Sequence, residues 1–143
     1  MFVDTAALIA LGNASDALHA AAVAVRREIA RHRRPMLTID AVLTETAGAL
    51  SGARVRHLAA PIVDAVRQST LFEVVHVAPP LWERGWALFK AKHDKEWSLV
   101  DCLAVVVMRD RGVRDAFTTD RHFAQAGFTC LLPAVERQAR PRR

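Results

Sequence analysis

Short apolar stretches alternate along this chain with longer segments of helical period, and that alternation limits the fold more than any other feature. Phe2-Val3, Met36–Ile39, Phe72–Val77, Ala116–Thr118 and Phe128–Leu132 have the length and composition of buried strands. Between them lie helical segments. Ala6–Leu11 is a turn or two. Asp16–Arg34 carries Leu18, Ala22, Val25 and Ile29 on one face and ends at Pro35. Asp40 is placed to cap a helix reaching about Ser51-Gly52, and Arg54–Thr70 repeats Leu58, Ile62 and Val66. Pro79-Pro80 opens the next helix, Ser98–Arg111 stops at Gly112, and Asp120–Ala126 closes at Gly127. Strands separated by helices predict an α/β fold on a short-stranded, mostly parallel sheet. At 143 residues there is room for one such domain, expected over residues 1–132. Residues 133–143 form a basic C-terminal tail expected to be flexible.

No apolar run approaches the roughly 20 residues that span a bilayer, and the chain reaches a charge at Asp4. A cytoplasmic protein with no membrane segment is therefore expected. Cys102 and Cys130 lie in apolar stretches without a Cys-x-x-Cys pair, so buried reduced thiols are expected rather than a zinc site. The net charge of +5 is uneven: Arg137, Arg140, Arg142 and Arg143 contribute four positive charges, which leaves residues 1–136 at +1. A second cluster is Arg26, Arg27, Arg31, Arg33 and Arg34. Such clusters suit a phosphate backbone or an acidic partner, or simply a solvated helix face.

Four carboxylates stand where a parallel sheet builds its sites, beyond the carboxyl ends of strands. Asp4 follows the first strand, Glu45 lies in the second turn of the helix after the second strand, and Asp120 follows Ala116–Thr118. Asp101 is the one polar residue between Leu99 and Met108, at the start of a helix otherwise apolar on every side. Each has a purely structural alternative. Ser98-x-x-Asp101 has the form of a capping box. Asp4 suits an Asx turn or helix cap, Asp120 a cap, and Glu45 a solvated helix face. As a set, four acids in one pocket would repel and could not all ionise at neutral pH unless a cation lay among them. Oxygen-only ligation favours Mg²⁺ or Mn²⁺, which activate water and offset charge on a phosphoryl group.

The order and spacing of several short motifs resemble a family. They are Phe2-Val3-Asp4-Thr5, Leu43-Thr44-Glu45, Asp94 through Ser98-Leu99-Val100-Asp101-Cys102, Thr118-Thr119-Asp120-Arg121-His122-Phe123, and Ala126-Gly127-Phe128. Together they resemble the PIN-domain ribonucleases, specifically VapC-type toxins of bacterial toxin–antitoxin pairs. The resemblance implies a three-layer α/β/α sandwich and a metal-dependent endoribonuclease acting on structured RNA such as tRNA or rRNA. It implies an acidic site of Asp4, Glu45, Asp101 and Asp120 supported by the hydroxyls of Thr5, Ser98 and Thr118. It also implies a homodimer and inhibition by a small antitoxin. Ala6 departs from the pattern, since relatives often carry Ser after Asp-Thr, and the Arg-rich tail lies outside it.

Other readings compete. The same scaffold could bind RNA or protein without turnover, or Asp4 could act as the nucleophile of a phosphotransfer domain. Gly-rich phosphate loops and Gly-x-Ser-x-Gly are absent from the sequence, which disfavours nucleotide and serine-hydrolase folds. Asp16, His19 and His122 read as surface or capping residues, since neither histidine has a second at metal-ligand spacing. Trp82, Trp86 and Phe89 read as a buried or dimer-facing stripe, with base stacking as the alternative. Lys90, Lys92 and Lys95 read as a solvated loop or a track for a phosphate backbone.

Overall fold

The computed structural model describes residues 1–134, so the expected basic tail from residue 135 onward lies outside the described residues. Five strands form one sheet: β1 (Phe2–Val3), β2 (Met36–Ile39), β3 (Phe72–Val75), β4 (Asp115–Phe117) and β5 (Thr129–Cys130). Their order is β3-β2-β1-β4-β5 and every pairing is parallel. The helices are α1 (Thr5–Gly12), α2 (His19–Arg31), α3 (Asp40–Ala49), α4 (Arg56–Gln68), α5 (Pro79–Ala91), α6 (Leu99–Asp110) and α7 (Arg121–Gln125).

The strand order and the handedness of crossovers fix the layers. The path β1→β2→β3 moves steadily toward one edge, so right-handed connections put α1–α4 on one face. The chain then returns past β1 to β4 and β5, in the opposite direction, which puts α5–α7 on the other face. The packing agrees: α1 contacts α2, α3 and α4, while α6 contacts α5 and α7. The expected three-layer α/β/α sandwich is thereby formed. Phe2 and Val3 at its centre are fully buried. Cys102 through Met108 of α6 are all buried, which accounts for a helix apolar on every side.

Several elements differ from expectation for local reasons. β3 stops at Val75 because its partner β2 stops at Ile39, where α3 begins. The next free amide, Val77 N–H, donates instead to Asp40 Oδ1 at 3.1 Å. Asp40 therefore starts α3 from inside the helix, ties down the end of β3, and does not act as the cap. α2 begins at His19 rather than Asp16, because Asp16 Oδ1 accepts from Leu18 N–H in a local turn at 2.8 Å. Both cysteines are free thiols, Cys102 buried and Cys130 half-buried. Among the described residues, no helix is long and apolar enough to cross a membrane.

Candidate metal centre at the sheet's carboxyl edge

The strand order reverses between β1 and β4, and an open parallel sheet forms its crevice at that switch point. Asp4 leaves the end of β1 there, its N–H donating to the Phe117 carbonyl of β4 at 3.3 Å. Its side chain is only 6% exposed. It does not cap α1; Oδ2 accepts from Thr118 Oγ1 at 2.8 Å. The fully buried Thr118 hydroxyl also accepts from Asp120 N–H at 3.0 Å, so one side chain fixes an acid on each side of the switch point. Asp120 Oδ1 accepts from His122 N–H at 2.9 Å and so caps α7. Glu45 is half-buried rather than solvated, and its Oε2 accepts from Thr5 Oγ1 at 2.5 Å.

Asp101 forms the capping box and, at the same time, faces the other acids. Ser98 N–H donates to Asp101 Oδ2 at 2.7 Å and Asp101 N–H to Ser98 Oγ at 3.0 Å, a complete capping box. The same Oδ2 lies 3.3 Å from His122 Nδ1, which in turn lies 3.2 Å from Asp120 Oδ1. Capping thus orients the Asp101 carboxylate toward Asp120. Ser98 supports the site by fixing the first turn of α6, and Thr5 and Thr118 by bonding the acids themselves.

The electrostatics join the four acids into one unit. Burial pushes the Asp4 carboxyl up to about 7; hydrogen bonds from Thr118 and the Thr5 backbone oppose this, and the charges of Asp101 and Glu45 add to it. Burial likewise raises Asp101, against its bonds to Ser98, with the Asp120 charge raising it further. Hydrogen bonds among the described residues fall on one oxygen of each carboxylate: Asp4 Oδ2, Glu45 Oε2, Asp101 Oδ2 and Asp120 Oδ1. Asp101, Asp120 and His122 each offer a ligand atom within 4.8 Å of the others. This donor set, rich in carboxylate oxygen and short of positive charge, fits a divalent cation. A nucleophilic thiol does not fit, since burial lifts the Cys102 thiol to about 11.

His122 corrects the expectation of a surface or capping role. Its side chain is 15% exposed and lies between two carboxylates. The sequence signal was Asp120-x-His122 at a helix start, legible only once Asp101 is known to face it. His19 behaves as expected, its Nδ1 meeting the Ala10 carbonyl at 2.7 Å. The arginine cluster at the end of α2 leads into the amino end of β2, on the edge of the sheet away from the acids. There Arg34 is paired with Asp115 at 2.5 Å. Arg121, next to Asp120 at the start of α7, pairs with Glu96 at 3.4 Å, and Lys95, on the loop into α6, with Asp94 at 3.2 Å. Trp82, Trp86 and Phe89 stack in a row with ring centroids 5.7 and 5.3 Å apart. The row is not buried within the chain: Trp82 is 39% and Phe89 37% exposed. Two shallow clefts, one beside Met36 and Leu71 and one beside Gly112 and Phe128, lie at the amino edge of the sheet.

A short parallel sheet with acids gathered at its switch point, matched by the PIN domain family model over residues 1–129, places the chain in the PIN-domain family. Within it the chain is similar to VapC20 of Mycobacterium tuberculosis, named a 23S rRNA-specific endonuclease. The two are 38% identical over 133 residues, which span 93% of this chain and 98% of the relative; the same match holds in two strains. The crystal structure of M. tuberculosis VapC20, described as a sarcin–ricin loop cleaving toxin, aligns with a TM-score of 0.81 at 35% identity, covering 92% of this chain and 98% of that one. These matches bear out the resemblance to VapC-type PIN nucleases and the layered fold it implied.

Proposed function

We propose that this protein is a metal-dependent endoribonuclease toxin that hydrolyses phosphodiester bonds in structured RNA, with ribosomal RNA the favoured substrate because VapC20 is named for it. In this reading it acts in the cytoplasm as a homodimer and is held in check by a small antitoxin that places a basic side chain against the acidic edge. The observation that carries the reading is the network Glu45–Thr5, Asp4–Thr118–Asp120 and Asp120–His122–Asp101, which joins four chain segments into one acidic edge.

Asp4, Asp101 and Asp120, with Glu45, would hold Mg²⁺ or Mn²⁺. When bound, the ion supplies positive charge against the scissile phosphoryl group and eases deprotonation of water. Glu45, fixed by Thr5, orients the attacking water. Thr118 holds Asp4 and Asp120 in register. Arg121 and Lys95 position the RNA backbone without reading its sequence. A sarcin–ricin stem-loop RNA tests the reading when offered to the wild-type protein with Mg²⁺, with EDTA, and to Asp4→Asn with Mg²⁺. Cleavage is expected in the first case alone. Equal cleavage in EDTA, or by Asp4→Asn, overturns it.

A further inference from the structure

We propose that His122 is a nitrogen ligand of the cation at the acidic edge, and that it tilts this site toward Mn²⁺ over Mg²⁺ relative to a site made of carboxylates alone. The inference rests on the metal-dependent reading above. His122 belongs to none of the four acid positions and follows Asp120 by two residues. Its backbone N–H is tied to Asp120 Oδ1, and its ring returns to the same oxygen: Nδ1 lies 3.2 Å from Asp120 Oδ1 and 3.3 Å from Asp101 Oδ2. The ring is largely withdrawn from solvent, with 15% of the side chain exposed.

Two readings of that geometry meet at one atom. Adjacent ligands on an ion with bonds of about 2.0–2.2 Å stand roughly 3 Å apart, which is also hydrogen-bond distance. A protonated Nδ1 would bridge the two carboxylates; with its proton on Nε2, the same Nδ1 turns a lone pair to an ion between them. The ring therefore already faces the position that both carboxylates face. Two other histidines are engaged elsewhere, His19 with the Ala10 carbonyl and His76 with Asp40. Mg²⁺ binds oxygen and keeps its waters, whereas imidazole nitrogen suits transition-metal ions.

Pulsed electron paramagnetic resonance of the full-length protein loaded with Mn²⁺ tests this, beside calorimetric titrations with Mn²⁺ and with Mg²⁺. The wild type is expected to show the coupling of a directly bound ¹⁴N, and His122→Gln to lose it. Mn²⁺ affinity should fall by about tenfold or more in the variant, with a much smaller loss for Mg²⁺. Bound Mn²⁺ without ¹⁴N coupling in the wild type overturns the proposal and leaves the metal-dependent reading standing, as does an equal loss for both ions. Failure of the wild type to bind Mn²⁺ at all overturns both.

Discussion

Asp4 is held at the centre of the molecule by a hydroxyl rather than by a cation of the chain, and its charge is correspondingly costly. Its folded carboxyl titrates near 7 against an ordinary 3.8, chiefly through burial. The folded state therefore binds the proton more tightly than the unfolded state. That contribution is fully present below about pH 4 and is lost as pH rises through 7, at about 1.4 kcal/mol per pH unit while it lasts. Melting in EDTA should show stability falling from pH 5 to pH 8 in the wild type, with a shallower fall for Asp4→Asn over the same range, since the Asp101 carboxyl is raised as well. Parallel profiles would refute this account of Asp4. Thr118→Val keeps the volume but strands Asp4 Oδ2 and the Asp120 N–H, so unfolding by denaturant should show a loss of about 1–3 kcal/mol, with RNA cleavage falling at least tenfold. At this scale the sequence pointed to the four acids because Asp4 and Asp120 follow strands, Asp101 lies in the first turn of a helix and Glu45 in the second turn of the helix after β2. The resemblance anticipated the Thr118 hydroxyl, but its bridge between Asp4 and Asp120 and the place of His122 depend on residues distant in sequence meeting at the switch point.

Among the elements, the α5–α6 contact turns on a single small residue. Gly85 is the buried residue of α5, and a Cβ there would stand 2.4 Å from Leu103 Cδ2 and 3.5 Å from Leu103 Cα. The α6 backbone at Leu103 Cα stands at ordinary contact distance, so an alanine requires only the Leu103 side chain to move, whereas valine adds two further carbons to the same space. Gly85→Val should cost about 3 kcal/mol or more in denaturant unfolding, and Gly85→Ala about 1–3. Strand and helix order were readable because apolar runs and helical periods differ in length. Strand ends were not, because they depend on the partner: β3 ends where β2 turns into α3, and β4 ends with the short β1. The Arg34–Asp115 pair lies at the edge away from the acids and is partly exposed, 41% and 29%. Arg34→Ala should thus leave cleavage unchanged and move stability by about 1 kcal/mol or less, whereas Arg121→Ala should weaken RNA binding in a salt-dependent way.

For the whole molecule, the reversal of strand order does two things at once. It divides the helices between two faces and it opens a crevice beside the central strand, where the acids collect. The exposed aromatic row on α5 remains outside this arrangement. If the proposed homodimer uses it, Trp82→Ser with Phe89→Ser should sediment as a monomer at concentrations where the wild type is a dimer, and an unchanged dimer would place the interface elsewhere. The alternation of elements made the layered fold legible, but no local pattern could show which faces stay uncovered. The central claim is that carboxylates from four segments share one cation. Anomalous diffraction from crystals soaked in Mn²⁺ tests it most directly: the account predicts a peak bordered by Asp4, Glu45, Asp101 and Asp120, and a fully soaked crystal with no peak there would contradict it.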